Sequence, residues 1–188
     1  HLTVSERITL ASQAINAKSA PDLIMIYFEE PDHQGHDFGP QSPHTKDALR
    51  NMDAHLQDLW ENIQQGPRKD SVNLIVVSDH GMTLVSPERK IECKKHLNPK
   101  WYERIEGNLP AQIYCKKGYV DSVYNALKDL PHQRVWRKKD IPAYLHYGTH
   151  VNIGDIVVDP QEGWLVTDDK VKTGGMHGYD PTYSDMQA

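Results

Sequence analysis

Asp32, His33, Gln34, Gly35 and His36 stand in one short run, with a carboxylate and an imidazole four positions apart. Ser78-Asp79-His80-Gly81 and Gly175-Met176-His177-Gly178 are two further runs in which an acid or an imidazole lies beside glycine. Together Asp32, His36, Asp79, His80 and His177 offer two carboxylates and three imidazoles, a nitrogen-and-oxygen donor set that suits zinc. The glycines have a use in such places, because without a Cβ the backbone turns sharply and a ligand can approach closely. Taken singly, each run also reads as a surface loop, and Asp79 as a turn or cap residue. What favours a binuclear metal centre is the coincidence of two acid-and-imidazole runs at equivalent positions in the fold. On spacing alone both readings stay open.

Those positions follow from the elements around them. Residues 5–18 carry Ile8, Leu10, Ala11, Ala14 and Ile15 at helical intervals, and Pro21 breaks the pattern. Residues 22–28 (DLIMIYF) form a near-continuous apolar run, the signature of a strand buried on both faces in a parallel sheet. Residues 29–41, rich in Pro, Gly and Asp, read as loop. Ser42 before Pro43 reads as an N-cap and first helical residue. Leu49, Met52, Leu56, Leu59 and Ile63 then carry the helix to about Gln65, where Gly66-Pro67 stops it. Residues 73–78 (NLIVVS) read as a second buried strand leading straight into Asp79-His80-Gly81. This order is a crossover unit of an α/β fold with a parallel sheet. It sets both chemistry-bearing loops just after strand ends, where ligands bind in open α/β sheets. Farther along, residues 83–108 are polar and irregular. Strands are expected at 109–115, 132–136, 151–158 (with Gly154 as a bulge) and 162–167, and a helix at 121–130. A polar loop over 168–175 leads to His177.

The chain has 188 residues, 38% hydrophobic and 25% charged, with a formal charge of -5 from 26 acidic and 21 basic side chains. That length suits one domain with a sizeable core. The mild acidity argues against a duplex nucleic-acid binder, which would carry a basic face. It leaves room for a small phosphorylated substrate whose charge is met by bound metal ions. No apolar run approaches the roughly 18–20 residues of a membrane span. Cys93 and Cys115 are the only cysteines and lack CxxC spacing, which favours buried thiols or one disulfide over a structural thiolate zinc site. His33, His44, His55, His96, His132 and His146 read as solvated or partly packed, His150 as structural, and residues 137–140 (RKKD) as a solvated face. The start at His1 and the stop at Ala188 in mid-pattern are what an excerpt of a longer protein would show.

Three strings, YFEEPDHQGHDFGPQSP from Tyr27, SDHGM from Ser78 and GMHGYDP from Gly175, resemble in order and separation the motifs of the nucleotide pyrophosphatase/phosphodiesterase family, part of the alkaline phosphatase superfamily. IPAYLHYGTH from Ile141 and EGW from Glu162 resemble bacterial members, so the likeness covers nearly the whole chain. It implies an alkaline phosphatase-like α/β fold with a mostly parallel sheet flanked by helices, incomplete here. Residues 1–188 are then a single partial catalytic domain. It also implies two zinc ions, one held by Asp32, His36 and His177 and the other by Asp79 and His80. Tyr27 is implied to line the substrate pocket and stack on a nucleobase; the plainer alternative is an aromatic buried in the strand core. Glu29 and Glu30, just ahead of Asp32, are placed to tune the pocket.

The same resemblance implies a threonine nucleophile and one further aspartate ligand upstream of the first run. Nothing among the 31 residues before Asp32 matches either, and Thr3 and Thr9 fall in or near the first helix. The expectation is that the nucleophile lies outside this chain and that the chain alone is inactive. The parent is expected to be a zinc-dependent hydrolase of phosphodiester and pyrophosphate bonds that releases nucleoside 5′-monophosphates. Its partner is then a small phosphodiester or nucleotide, and its location extracytoplasmic, periplasmic or extracellular. Two alternatives remain: a superfamily phosphomonoesterase or choline-headgroup lipid phosphodiesterase, and a non-catalytic binding module. An arginine clamp would favour monoesters, and the sequence sets no arginine near the three motifs. The oligomeric state and the preferred substrate are not legible.

Overall fold

In the computed structural model, residues 2–187 are described, and the chain divides into one unit up to Val77 and another from Ser78 onward. The first unit is built on helices. Thr3 caps α1 (Val4–Ile15) reciprocally: its hydroxyl accepts from the Glu6 amide at 3.3 Å, and the Glu6 carboxylate accepts from the Thr3 amide at 2.7 Å. A short helix, α2 (Asp32–Phe38), occupies the segment expected to be loop. Ser42 then caps α3 (Pro43–Gln65) by accepting from the Thr45 amide at 3.1 Å, and Gly66 ends it, as the residue types predict. Ile8 and Ala11 of α1 bury against Leu59 and Ile63 of α3.

The two apolar runs behave differently from the expectation. Among the described residues, 23–29 and 72–78 carry no strand ladder. Ile24, Ile26 and Phe28 pack on the α1–α3 core, as do Val72 and Leu74. Leu23, Met25 and Tyr27 face away, as do Ile75, Val76 and Val77, with Met25 87% and Val77 84% exposed. The alternation over 23–28 has the period of two of a strand with one covered face. Expected as strands buried on both faces, the two runs are covered on one side only, by the helices. A ladder also needs a neighbour to take its N–H and C=O groups.

The second unit holds every strand among the described residues: β1 (Thr83–Val85), β2 (Lys90–Ile91), β3 (Tyr102–Glu106), β4 (Ala111–Cys115), β5 (Gln133–Arg137), β6 (Ile156–Pro160), β7 (Leu165–Val166) and β8 (Gly174–Met176). An antiparallel sheet runs in the order β3-β4-β6-β5; β2 and β7 pair in parallel, and β1 and β8 antiparallel. Residues in β6 are buried throughout, and Ile156 and Val158 join Ile113, Val123 and Leu127 in the core, the last two supplied by α4 (Val120–Leu127).

Several boundaries differ from the sequence reading. The strand expected at 151–158 starts only at Ile156. Gly154 is no bulge in it; its amide donates to Gln112 Oε1 at 2.9 Å, and a Cβ there would meet the Ile113 backbone at 3.0 Å. The polar stretch 83–108 contains three short strands: β1 and β2 pair with β8 and β7 far along the chain, and β3 with the neighbouring β4, so pairing stabilises segments with little apolar pattern of their own. Residues 137–140 are more than a solvated face. Arg137 donates to Asp121 at 2.9 Å and lies 3.7 Å from the Tyr124 ring centre, while Lys138 Nζ donates to the carbonyls of His150, Val151 and Ile153 at 2.6, 3.3 and 3.1 Å. Both cysteines are free, with burial pushing the Cys93 thiol up to about 12. No helix among the described residues is long and apolar enough to cross a membrane.

Candidate functional site

In the first unit, Asp32 opens α2 and His36 follows one turn later, so the i,i+4 spacing brings both to one helix face. His36 Nε2 lies 3.5 Å from Asp32 Oδ2, and both side chains are partly exposed. The Pro and Gly that signalled loop sit at the helix ends: Pro31 precedes it and Gly39, at φ 89°, closes it. Arg7 of α1 ties down the chain just before this helix. Its guanidinium forks onto Glu29 at 2.8 and 3.0 Å and also donates to the Tyr27 carbonyl at 2.7 Å. The hydrogen bond from Arg7 holds the Glu29 carboxyl below its usual range. Glu29 is thus committed to Arg7, and Glu30 accepts from Gln34. Tyr27 is 66% exposed, so the buried-aromatic alternative is not the one observed.

In the second unit the positioning is non-local. Antiparallel pairing of Thr83 with Met176 brings the residues before β1 beside those after β8. His80 and His177 consequently stack, with ring centroids 3.5 Å apart and planes 14° from parallel. Asp79 is exposed, its Oδ1 3.6 Å from His80 Nε2. Gly81 donates its amide to the Met186 carbonyl at 3.0 Å, and a Cβ there would lie 2.0 Å from the Asp185 carbonyl oxygen. Thr83 Oγ1 closes the same clasp by donating to Asp185 Oδ2 at 3.2 Å. The glycine after His80 is therefore needed for a backbone approach that sequence could name only in general terms.

Asp180, downstream of His177, is buried and accepts from Arg134 Nη2 and Tyr144 OH, each at 2.6 Å, and from the Thr182 amide and hydroxyl at 2.9 and 2.7 Å. Burial alone would raise its pKa, but these hydrogen bonds outweigh it and hold the carboxyl well below the usual range. Arg134 also donates to Asp159. There burial prevails and raises the carboxyl. Arg134, like Arg7, is an arginine at a motif that the sequence did not set near it, lying 46 positions from the Asp180 it binds.

As donors, an Asp–His pair on one helix face and a stacked His–His pair with a neighbouring carboxylate have the chemistry zinc takes. Comparison with known proteins bears on what they serve. The family model for type I phosphodiesterase / nucleotide pyrophosphatase matches residues 2–180. Human ectonucleotide pyrophosphatase/phosphodiesterase family member 5 is 33% identical over 98% of this chain and 39% of its own length. The bovine bis(5′-adenosyl)-triphosphatase ENPP4 is 35% identical over 96% of this chain and 41% of its own length. The solved structure of an inactive form of murine ENPP5 in complex with AMP matches at 34% identity and a TM-score of 0.89, over 99% of this chain and 50% of that one. The chain thus spans half or less of the length of these relatives. The structural likeness gives the fold as alkaline phosphatase-like α/β with mixed sheets and helices. On the match over residues 2–180, this chain belongs to the type I phosphodiesterase / nucleotide pyrophosphatase family.

Proposed function

We propose that the protein is a zinc-dependent hydrolase of phosphodiester and pyrophosphate bonds that releases nucleoside 5′-monophosphates, its two units being parts of one catalytic domain. The observation that carries this reading is the family match over residues 2–180, within which all three donor runs fall. Nucleotides are the favoured substrate class because one relative is named a bis(5′-adenosyl)-triphosphatase and another was solved with AMP. The prefix "ecto" in the name of the human family member 5 relative supports an extracytoplasmic location.

In this reading Asp32, His36 and His177 hold one zinc, and Asp79 and His80 contribute to holding the second. Two zinc ions bound there supply charge neutralisation at the phosphoryl oxygens and a lowered pKa for the attacking hydroxyl or water. The chain's own groups bind and orient. The exposed Tyr27 ring offers a flat face for a nucleobase, and Arg7 fixes the backbone beneath that ring through the Tyr27 carbonyl. The threonine nucleophile and a further carboxylate ligand are assigned to sequence beyond these residues.

The test is zinc content by elemental analysis, together with hydrolysis of a chromogenic nucleotide diester by the full-length protein. Zinc should be present in about two equivalents, should fall with Asp32→Ala and with His80→Ala, and hydrolysis should drop at least about 100-fold with His177→Ala. A folded protein with background zinc, or full activity after prolonged chelation, would overturn the reading. Faster turnover of a phosphomonoester than of the diester would move it to the phosphomonoesterase alternative.

A further inference from the structure

We infer that Asp180, gripped by Arg134, Tyr144 and Thr182, is a positioning residue for the His177 ring and, through the ring stack, for His80. The inference rests on the zinc-site reading only in its metal-binding arm.

His177 is held on both sides by different means. Before it, β8 pairs with β1, Thr83 opposite Met176. After it come Gly178, at φ 102°, the buried Tyr179 and then Asp180. A glycine in that conformation gives the segment little stiffness of its own, so the buried Tyr179 and the polar fixed point after it help to set where the ring lies. That point is the Asp180 carboxylate, whose side chain is fully buried and which accepts four hydrogen bonds. Arg134 carries the grip into the antiparallel sheet: it stands on β5 directly opposite Asp159 of β6 and donates to both acids.

A buried ionic cluster of this kind is a poor route to stability, because desolvation offsets much of the attraction and well-packed apolar residues often do as well. What it supplies is a fixed position and direction, since only one arrangement satisfies every donor and acceptor. The grip starts three residues from His177, which gives that fixed position a use.

The test uses imidazole ring resonances of His80 and His177 in the metal-free protein, followed by zinc affinity by competition with a chromogenic chelator. Asp180→Asn and the milder Tyr144→Phe are compared with Leu127→Ala, a cavity variant in the core of the same unit. Asp180→Asn should shift both ring resonances and weaken zinc binding about tenfold, with Tyr144→Phe moving both in the same direction by less. Leu127→Ala should lower stability and leave the ring resonances in place. Ring resonances unchanged in both Asp180→Asn and Tyr144→Phe would overturn the inference, whatever zinc does. Resonances that move in a protein that takes up no zinc would sustain the positioning role and refute the zinc reading alone.

Discussion

The two units position their candidate donor residues by opposite means. Up to Val77, Asp32 and His36 owe their proximity to a single helical turn, and the geometry is fixed within five residues. From Ser78 onward, His80 and His177 meet only because β1 pairs with β8, and because Thr83 and Asp185, 102 positions apart, close a clasp. The local arrangement follows from the spacing along the helix that carries it. The non-local arrangement depends on each of its supports, and the difference shows in how the units should respond to the same kind of damage.

Glycine-to-alanine replacement gives the largest contrast. A Cβ at Gly81 would lie 2.0 Å from a backbone oxygen, which cannot move without opening the clasp. At Gly66 it would meet the Asn16 side-chain amide at 2.6 Å, a flexible end that can turn away. Gly81→Ala should therefore cost about 3 kcal/mol and separate the His80 and His177 rings, while Gly66→Ala should cost under about 1 kcal/mol. Urea unfolding followed by fluorescence measures both. Equal losses would mean that the clasp is not the constraint it is taken to be.

The same contrast explains what could be read in the chain beforehand. Ser42-Pro43 and Gly66-Pro67 gave both ends of α3 because caps and breakers act on adjacent residues. The five candidate donors stood out for a related reason, their types and spacing lying within short runs that the resemblance then linked. Arg134 was not legible, since no local pattern ties a β5 arginine to an aspartate far along the chain. Nor were β1 and β2, too short to carry a period. The runs at 22–28 and 73–78, expected as strands buried on both faces, form no ladder among the described residues and leave Met25 and Val77 exposed. Whether a ladder forms on them depends on neighbours, which composition does not specify.

A smaller difference between the units should appear in acid. Asp180 has a folded-state pKa below its unfolded value of about 3.9, so its contribution is fully present above about pH 4 and is lost as pH falls through the depressed folded value. Asp159 is shifted the other way by burial and works against stability above its raised folded value, a cost relieved as pH falls. Glu29 in the first unit is also lowered by Arg7, but it is exposed and its effect is screened. With a chelator present, urea midpoints below about pH 4 should fall more steeply for the native protein than for Asp180→Asn. Parallel curves would show that another carboxylate carries the acid sensitivity.

The smallest effect tests whether the first unit's pair is set as locally as its geometry says. Ser42→Ala removes the acceptor for the Thr45 amide at the start of α3 and should cost about 1 kcal/mol. Thr45 keeps a second tie, donating its hydroxyl to the Gly39 carbonyl at 2.8 Å, so the helix frays at its first turn and no further. Within α2 the closing bonds run from the Gly35 amide to the Pro31 carbonyl at 3.0 Å and from the Gly39 amide to the Gly35 carbonyl at 2.8 Å. Neither involves Ser42. Hydrogen exchange should therefore speed up at the Thr45 amide by about fivefold and stay unchanged at Gly35 and Gly39. If the α2 amides accelerate with Thr45, α2 depends on the start of α3, and the separation of Asp32 from His36 is set by tertiary support after all.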